Sequence, residues 1–259
     1  MDKLKVTPKQ LEILLLLYRF RFLNRTHIQR FLNHKDRKRI NAWLKDLVDR
    51  NIIGRKYSRS LKENTKPAIY HLSIKSRKIL LEQTETDEKI LKRVYREKKR
   101  SKKLIEHCLF LADVHFYLDQ QLKDTDKLHF FTKVDLRNHY YLPYKRPDAY
   151  ITISSKDITK RYFIEILDPE TPRFILRNKI SSYIEFFDEE VWQEKTGHPN
   201  PSILLVCPDD TIKKFLFKHI RQVLEEEADD ELKFYLATRD DIKFSEMDVD
   251  VWELVEDKI

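Results

Sequence analysis

Residues 146–168, RPDAYITISSKDITKRYFIEILD, constrain the fold of this chain more than any other stretch. Two runs rich in β-branched and aromatic residues, 148–153 and 162–167, flank a polar turn, the pattern of an antiparallel hairpin. Pairing them brings Asp148, which opens the first run after Pro147, beside Glu165 and Asp168 at the end of the second. Carboxylates converging at one edge of a sheet can hold a divalent cation beside a phosphate. A structural role competes with that chemistry. Asp148 also suits a strand start after proline, and Asp168-Pro169-Glu170-Thr171-Pro172 suits a strand exit leading into a helix N-terminus, where carboxylates are favoured.

The neighbouring segments extend the hairpin into an α/β unit. A strand over 130–136 precedes it, and a helix over about 171–190 follows, with Ile175, Ile180, Ile184 and Phe187 on one side. Ser202 to Cys207, SILLVC, is apolar on both faces, as a central parallel strand would be. A helix over 209–227, a strand over 233–238 and an acidic tail that packs as a last short element complete the order. These segments predict a mixed sheet.

The first hundred residues read differently. Thr7-Pro8-Lys9-Gln10 is a helix start with a capping box, and Leu11, Leu14, Leu15, Tyr18 and Phe22 recur at helical spacing. A short helix from Asn24 turns Ile28, Phe31 and Leu32 inward, and a third over 36–50 buries Ile40, Leu44, Leu47 and Val48. Two β segments, 52–57 and 68–72, then enclose the basic loop SRSLKENTKP. Three helices followed by a basic-tipped hairpin resemble a winged helix-turn-helix. Lys38, Asn41 and Lys45 fall opposite the apolar face of the third helix. The lysines suit phosphates or guanine edges, and asparagine is the side chain that pairs with adenine. Arg37 and Arg39 flank that face, and Arg59, Lys62 and Lys66 on the wing would track phosphates. Protein binding, with these charges merely solvated, is the competing reading.

Charge separates the two halves. Residues 1–103 hold 30 lysines and arginines against 11 acids, and residues 104–259 hold 21 against 32, so a basic half of +19 precedes an acidic half of −11. That asymmetry points to nucleic-acid binding by one part only. The expected organisation is a DNA-binding winged helix over 1–85, a basic helical connector over 86–103 within a helical stretch from Asp87 to about Leu122, and an α/β domain over 104–259. The connector's cations suit a solvated helix face as well as they suit DNA. Only 2 glycines exclude a Walker loop or a dinucleotide fingerprint. Cys108 and Cys207 sit in apolar runs and read as buried free thiols of a reducing compartment. His107, Asp113 and His115, with Cys108, do not have zinc-ligand spacing. No leader and no membrane-length apolar run is visible, so a cytoplasmic location without membrane contact is expected.

The order helix, three strands, helix, strand, helix, strand resembles the core of the PD-(D/E)XK nuclease-like superfamily, with Pro147-Asp148 and Glu165 at its motif positions. The resemblance implies that Asp148 and Glu165 bind Mg²⁺ or Mn²⁺ in an active member, with Asp168 as a further carboxylate, and that a lysine activates water. Leu167 stands where that lysine is usual, two residues after Glu165, and Lys179 on the next helix is the migrated candidate, with Tyr183 one turn on. The winged helix, the basic connector and this Arg-Pro-Asp, Glu, Asp, Lys, Tyr series resemble the replication-relaxation family over roughly residues 8–190. That family is carried by plasmids, phages and integrative elements of Gram-positive bacteria. Its pattern of glutamate, any residue, aspartate is one residue longer here, as Glu165-Ile166-Leu167-Asp168. The resemblance implies a protein of double-stranded DNA acting in replication, mobilisation or transcriptional control, with a degenerate nuclease-like domain. Homodimerisation on a palindromic target and contacts with replication or relaxosome proteins are implied partners. The alternative is a metal-dependent DNA endonuclease using Asp148, Glu165 and Lys179.

Overall fold

A computed structural model describes residues 5–57, 66–156, 158–227, 232–245 and 250–256. The chain divides into two compact units, Met1–Ala112 and Asp113–Ile259.

In the first unit α1 spans Pro8–Phe20 and starts as its residues dictate. Thr7 Oγ1 accepts from the Gln10 amide at 3.3 Å, and Gln10 Oε1 accepts from the Thr7 amide at 3.0 Å. The buried seam of α1 is Gln10, Ile13, Leu14, Leu17 and Tyr18; Leu11 and Leu15 are only half-buried. A run of four leucines fits more than one helical stripe, and packing selects among them. The Gln10 side chain also donates to Asp46 Oδ2 at 2.7 Å, tying α1 to the third helix and fixing that rotation.

Strand β1 (Leu23–Asn24) leads into α2 (Arg25–Phe31), capped by the Asn24 side chain, which accepts from the His27 amide at 2.8 Å. Helix α3 (Arg37–Asp49) begins on Asp36, whose carboxylate accepts from the Lys38 and Arg39 amides at 2.7 and 3.3 Å. Ile40, Leu44 and Leu47 are buried. Strands β2 (Ile53–Lys56) and β3 (Ile69–Leu72) form the wing, and the antiparallel sheet runs β1-β3-β2. This is a winged helix-turn-helix. Gly54 faces His71 in the β2–β3 register, so close that an added Cβ would stand 2.3 Å from the imidazole. Arg59 and Lys62 lie outside the described residues.

After the wing the chain is helical in pieces, α4 (Ile74–Gln83), α5 (Glu88–Leu91), α6 (Val94–Glu97) and α7 (Lys102–Gln120), with α5 and α6 inside the connector of residues 86–103. The breaks between the later pieces surround a buried acid. Glu97, 2% exposed, accepts from Arg21 Nε and Nη2 at 3.1 and 3.2 Å and has Arg93 and Arg100 at 3.6 Å. Arg21 adopts φ 69° at the end of α1, a conformation a non-glycine residue takes only when contacts hold it, and its guanidinium is held by Glu97. Burial brings the Arg93 guanidinium down to about 10, with Arg21 adding to the effect. Part of the connector's positive charge is thus spent inside the unit.

The second unit is a six-stranded mixed sheet, ordered β4 (Lys127–Thr132), β5 (Ala149–Ser154), β6 (Thr159–Ile166), β7 (Ser202–Cys207), β8 (Phe234–Thr238) and β9 (Glu253–Leu254). The pairs β4–β5, β5–β6 and β8–β9 are antiparallel; β6–β7 and β7–β8 are parallel. Helices α8 (Arg173–Asp188) and α9 (Val191–Thr196) make the first parallel crossover, and α10 (Asp210–Glu227) makes the second. A short α11 (Arg239–Phe244) follows β8. Phe163, Ile203, Leu205 and Leu236 of the sheet pack with Leu176, Ile180, Leu216 and Ile220, so α8 and α10 cover one face. On the opposite face Tyr117 and Leu118, near the end of α7, line a cavity of about 240 Å³ with Ile153, Tyr162, Leu204 and Tyr235. The unit therefore has the mixed-sheet architecture of a PD-(D/E)XK-like core.

Strand β4 ends at Thr132, short of the expected 136. The Asp135 carboxylate turns the chain there, accepting from the Thr132 amide at 2.8 Å and its hydroxyl at 3.0 Å. Val134 and Leu136 are buried within the loop, which explains their apolar character without a strand.

Candidate functional site

Two groups of residues warrant attention, one in each unit. On α3, Arg37, Lys38, Arg39, Asn41 and Lys45 are exposed, and among the described residues none of the four cations is held in an ion pair. Lys66, at the base of the wing, is exposed as well. The Asp36 cap fixes the first turn of α3, and the buried Ile40, Leu44 and Leu47 turn the opposite, cationic face outward.

In the second unit the register Ala149↔Ile164 sets Asp148 beside Glu165 across β5 and β6. Both carboxylates are 2% exposed, and each meets a lysine. Lys133 Nζ donates to Asp148 Oδ1 at 2.6 Å, while Asp148 Oδ2 accepts from the Ile166 amide at 2.8 Å. Lys179 Nζ stands 2.7 Å from Glu165 Oε1, which also accepts from the Tyr183 hydroxyl at 2.8 Å. Burial raises the Glu165 carboxyl above its ordinary range; Lys179 opposes that shift and Asp148 adds to it. Burial, then the neighbouring Glu165, pushes the Tyr183 phenol well up. Glu165, Lys179 and Tyr183 line a cleft of about 380 Å³ whose other wall is Pro143, Tyr144 and Lys145.

Sequence reasoning placed Asp148, Glu165, Lys179 and Tyr183 near one another, and the fold brings them together. It missed Lys133. The signal was the strand register: Thr132, the last residue of β4, pairs with Ala149, so the residue after the strand stands opposite Asp148, and the Lys133 amide donates to the Asp148 carbonyl at 3.2 Å. Asp168 lies beyond β6, where its carboxylate accepts from the Glu170 amide at 3.1 Å. Arg146 serves the loop. Its guanidinium donates to the Leu142 and His139 carbonyls, both at 2.7 Å, and to that of Pro143.

As arranged, the donor set does not fit a divalent cation. Such an ion takes about six oxygen ligands, and here an ammonium group sits on an oxygen of each carboxylate. Among the described residues no three of His, Cys, Asp and Glu are gathered to hold a metal.

The replication-relaxation family profile matches residues 14–200. The chain belongs to the replication-relaxation family. No curated protein matches it. Two solved structures of the restriction endonuclease FokI, one bound to DNA, align with 90% of this chain at 12% and 11% identity and TM-scores of 0.35 and 0.31. They are covered over 41% and 43% of their length, so the chain spans about two fifths of that enzyme. The architecture rests on the strand order described above. Within the replication-relaxation match lie α3, both carboxylates and all three of Lys133, Lys179 and Tyr183. Among the described residues no helix is long and apolar enough to cross a membrane.

Proposed function

We propose that this replication-relaxation protein binds double-stranded DNA of a mobile element through α3 and the wing, and acts there in replication, mobilisation or transcriptional control. The observation that carries the reading is the cationic face of α3, exposed and outside any ion pair among the described residues, on a winged helix. Surface cations left without acidic partners favour a polyanion, and affinity then depends steeply on salt. The nuclease-like unit carries a lysine-locked carboxylate pair, which supports a structural or docking role over hydrolysis. A homodimer on a palindromic site, contacts with replication or relaxosome proteins and a cytoplasmic location belong to the same proposal. Charge reversal at Lys38 and Lys45 should abolish the mobility shift of a duplex at moderate salt, and unchanged binding would refute the assignment of α3.

One observation favours a second reading, a Mg²⁺- or Mn²⁺-dependent endonuclease: Asp148, Glu165 and Lys179 do meet at one end of the sheet. Incubation with supercoiled DNA decides between the two. Metal-dependent cutting lost in Asp148→Ala establishes the nuclease, and its absence with both ions leaves the binding protein.

A further inference from the structure

The residues from 104 onward carry a net charge of −11, yet their cations are not scattered. Arg173 and Arg177 stand one turn apart on α8, and both guanidinium groups lie over the Phe215 ring of α10, 4.9 and 5.3 Å from its centroid. Lys214, just before Phe215, and Lys218, one turn further along α10, are both exposed. Among the described residues none of these four cations is held in an ion pair. Lys213 differs, for its ammonium group is engaged by Glu253 at 3.0 Å and Asp241 at 3.9 Å.

The arrangement of α8 runs against the electrostatics of the helix itself, while α10 opens on Asp210 and only then places its lysines. Helix dipoles favour acids in the first turn and cations in the last. Here the cations occupy the first half of α8 and the first half of α10. The acids Glu185 and Asp188 close α8, and Glu225 and Glu226 lie near the end of α10. Two guanidinium groups over one ring also repel each other, although each is attracted to the ring face. The Phe215 ring holds the two guanidinium groups in place but carries no net charge, so an external anion is what would balance the four cations. Because β6 and β7 are parallel, α8 and α10 both begin at the sheet edge where Glu165 sits. Arg173 and Arg177 lie along α8, and Lys214 and Lys218 line an open depression of about 300 Å³ with Arg221, Asp210 and Glu253, a spread that suits the repeating phosphates of a duplex better than one small anion.

We propose that the α8–α10 surface is a second DNA contact, in which Arg173, Arg177, Lys214 and Lys218 bind backbone phosphates of double-stranded DNA. The choice of DNA rests on the function proposed above, but the surface is separate from α3, and the two can fail independently. Each phosphate neutralised contributes about 0.9 to the slope of log K against log salt. The test uses the full chain and a random duplex of ~40 base pairs, long enough to expose non-specific phosphate contacts. Compared with wild type are the variant Arg173→Gln/Arg177→Gln/Lys214→Gln/Lys218→Gln, the charge-keeping Arg173→Lys/Arg177→Lys, and Lys38→Glu/Lys45→Glu. The four-fold glutamine variant should lower the slope by about 2–4, and the lysine variant should keep it. A wild-type slope in the glutamine variant overturns the proposal, as does failure of the wild-type chain to bind any duplex at low salt. If Lys38→Glu/Lys45→Glu binds normally while the glutamine variant does not, the α3 reading falls and this one stands. Should the glutamine variant misfold, a benzophenone side chain in place of Phe174, which is 61% exposed on the same turn of α8, provides the check. Photocrosslinking to the duplex supports the contact, and its absence overturns it.

Discussion

Replacing Lys179 by methionine tests the reading that the carboxylates of the second unit are neutralised by lysines. Glu165 is 2% exposed and holds Lys179 at 2.7 Å, so the substitution leaves a buried carboxylate without its nearest cation. Removing one partner of a buried pair costs about 3–5 kcal/mol. Here the Lys179 side chain is 27% exposed and the Tyr183 hydroxyl remains on the same oxygen, so the expected loss is about 2–3 kcal/mol. For a unit of this size that lowers the midpoint of thermal unfolding by roughly 5–10 °C at pH 7. The dependence on pH gives the sharper signature. The folded pKa of Glu165 is raised above its ordinary value of 4.5 and rises further once Lys179 is gone. A group whose folded pKa is raised favours the native state fully below its unfolded pKa, and that contribution is lost as pH rises through the folded value. The deficit of Lys179→Met should therefore be largest at neutral pH and shrink as pH falls toward 4.5. Adding Glu165→Gln to Lys179→Met should recover part of the loss and remove the pH dependence. Tryptophan fluorescence of Trp192 and Trp252, with circular dichroism, follows the transition. A midpoint for Lys179→Met that stays at the wild-type value from pH 5 to 8 would refute the reasoning.

The first unit offers two independent checks. Gly54→Ala would set a methyl group 2.3 Å from the buried His71 imidazole, which is held by the Leu72 carbonyl at 2.9 Å, so overpacking should cost about 1–3 kcal/mol in urea unfolding. A larger residue at 54 with wild-type stability would show that the imidazole moves aside freely. Glu97→Gln keeps the shape but removes the charge that three arginines share, and should destabilise the unit by about 3 kcal/mol. Glu97→Ala, which also removes the hydrogen-bond acceptors, should cost more. Equal stability of the glutamine variant and wild type would mean that these arginines are solvated in place.

Local rules were enough for much of the fold. The capping box on Thr7 and Gln10, the apolar stripe Ile40, Leu44 and Leu47, and the fully apolar SILLVC strand follow from propensity and periodicity alone, and the structure keeps them. Where the same apolar residues fit two patterns, packing decided. The leucine run of α1 took its rotation from the Gln10–Asp46 bond, and Val134 and Leu136 were drawn into a loop by Asp135. Glu97 was indistinguishable from any acid of a charge run until three arginines, the first of them 76 residues away in sequence, were seen around it.

For the candidate site, residue order determined which chemistry was at stake, and three-dimensional pairing determined its state. Alternation along the two strands placed Asp148 opposite Glu165, because antiparallel register is set by the hairpin itself. Whether those carboxylates face solvent, a metal or a cation depends on segments that arrive from elsewhere. Lys133 comes from the end of a neighbouring strand, and Lys179 from the helix of a crossover. An ionic contact of 2.6 or 2.7 Å leaves no periodic trace in a sequence, since only the position of the partner creates it. The sequence by itself determined a winged helix followed by a mixed sheet with two acids at one edge. The tertiary structure alone decided that both acids are buried and bound to lysines.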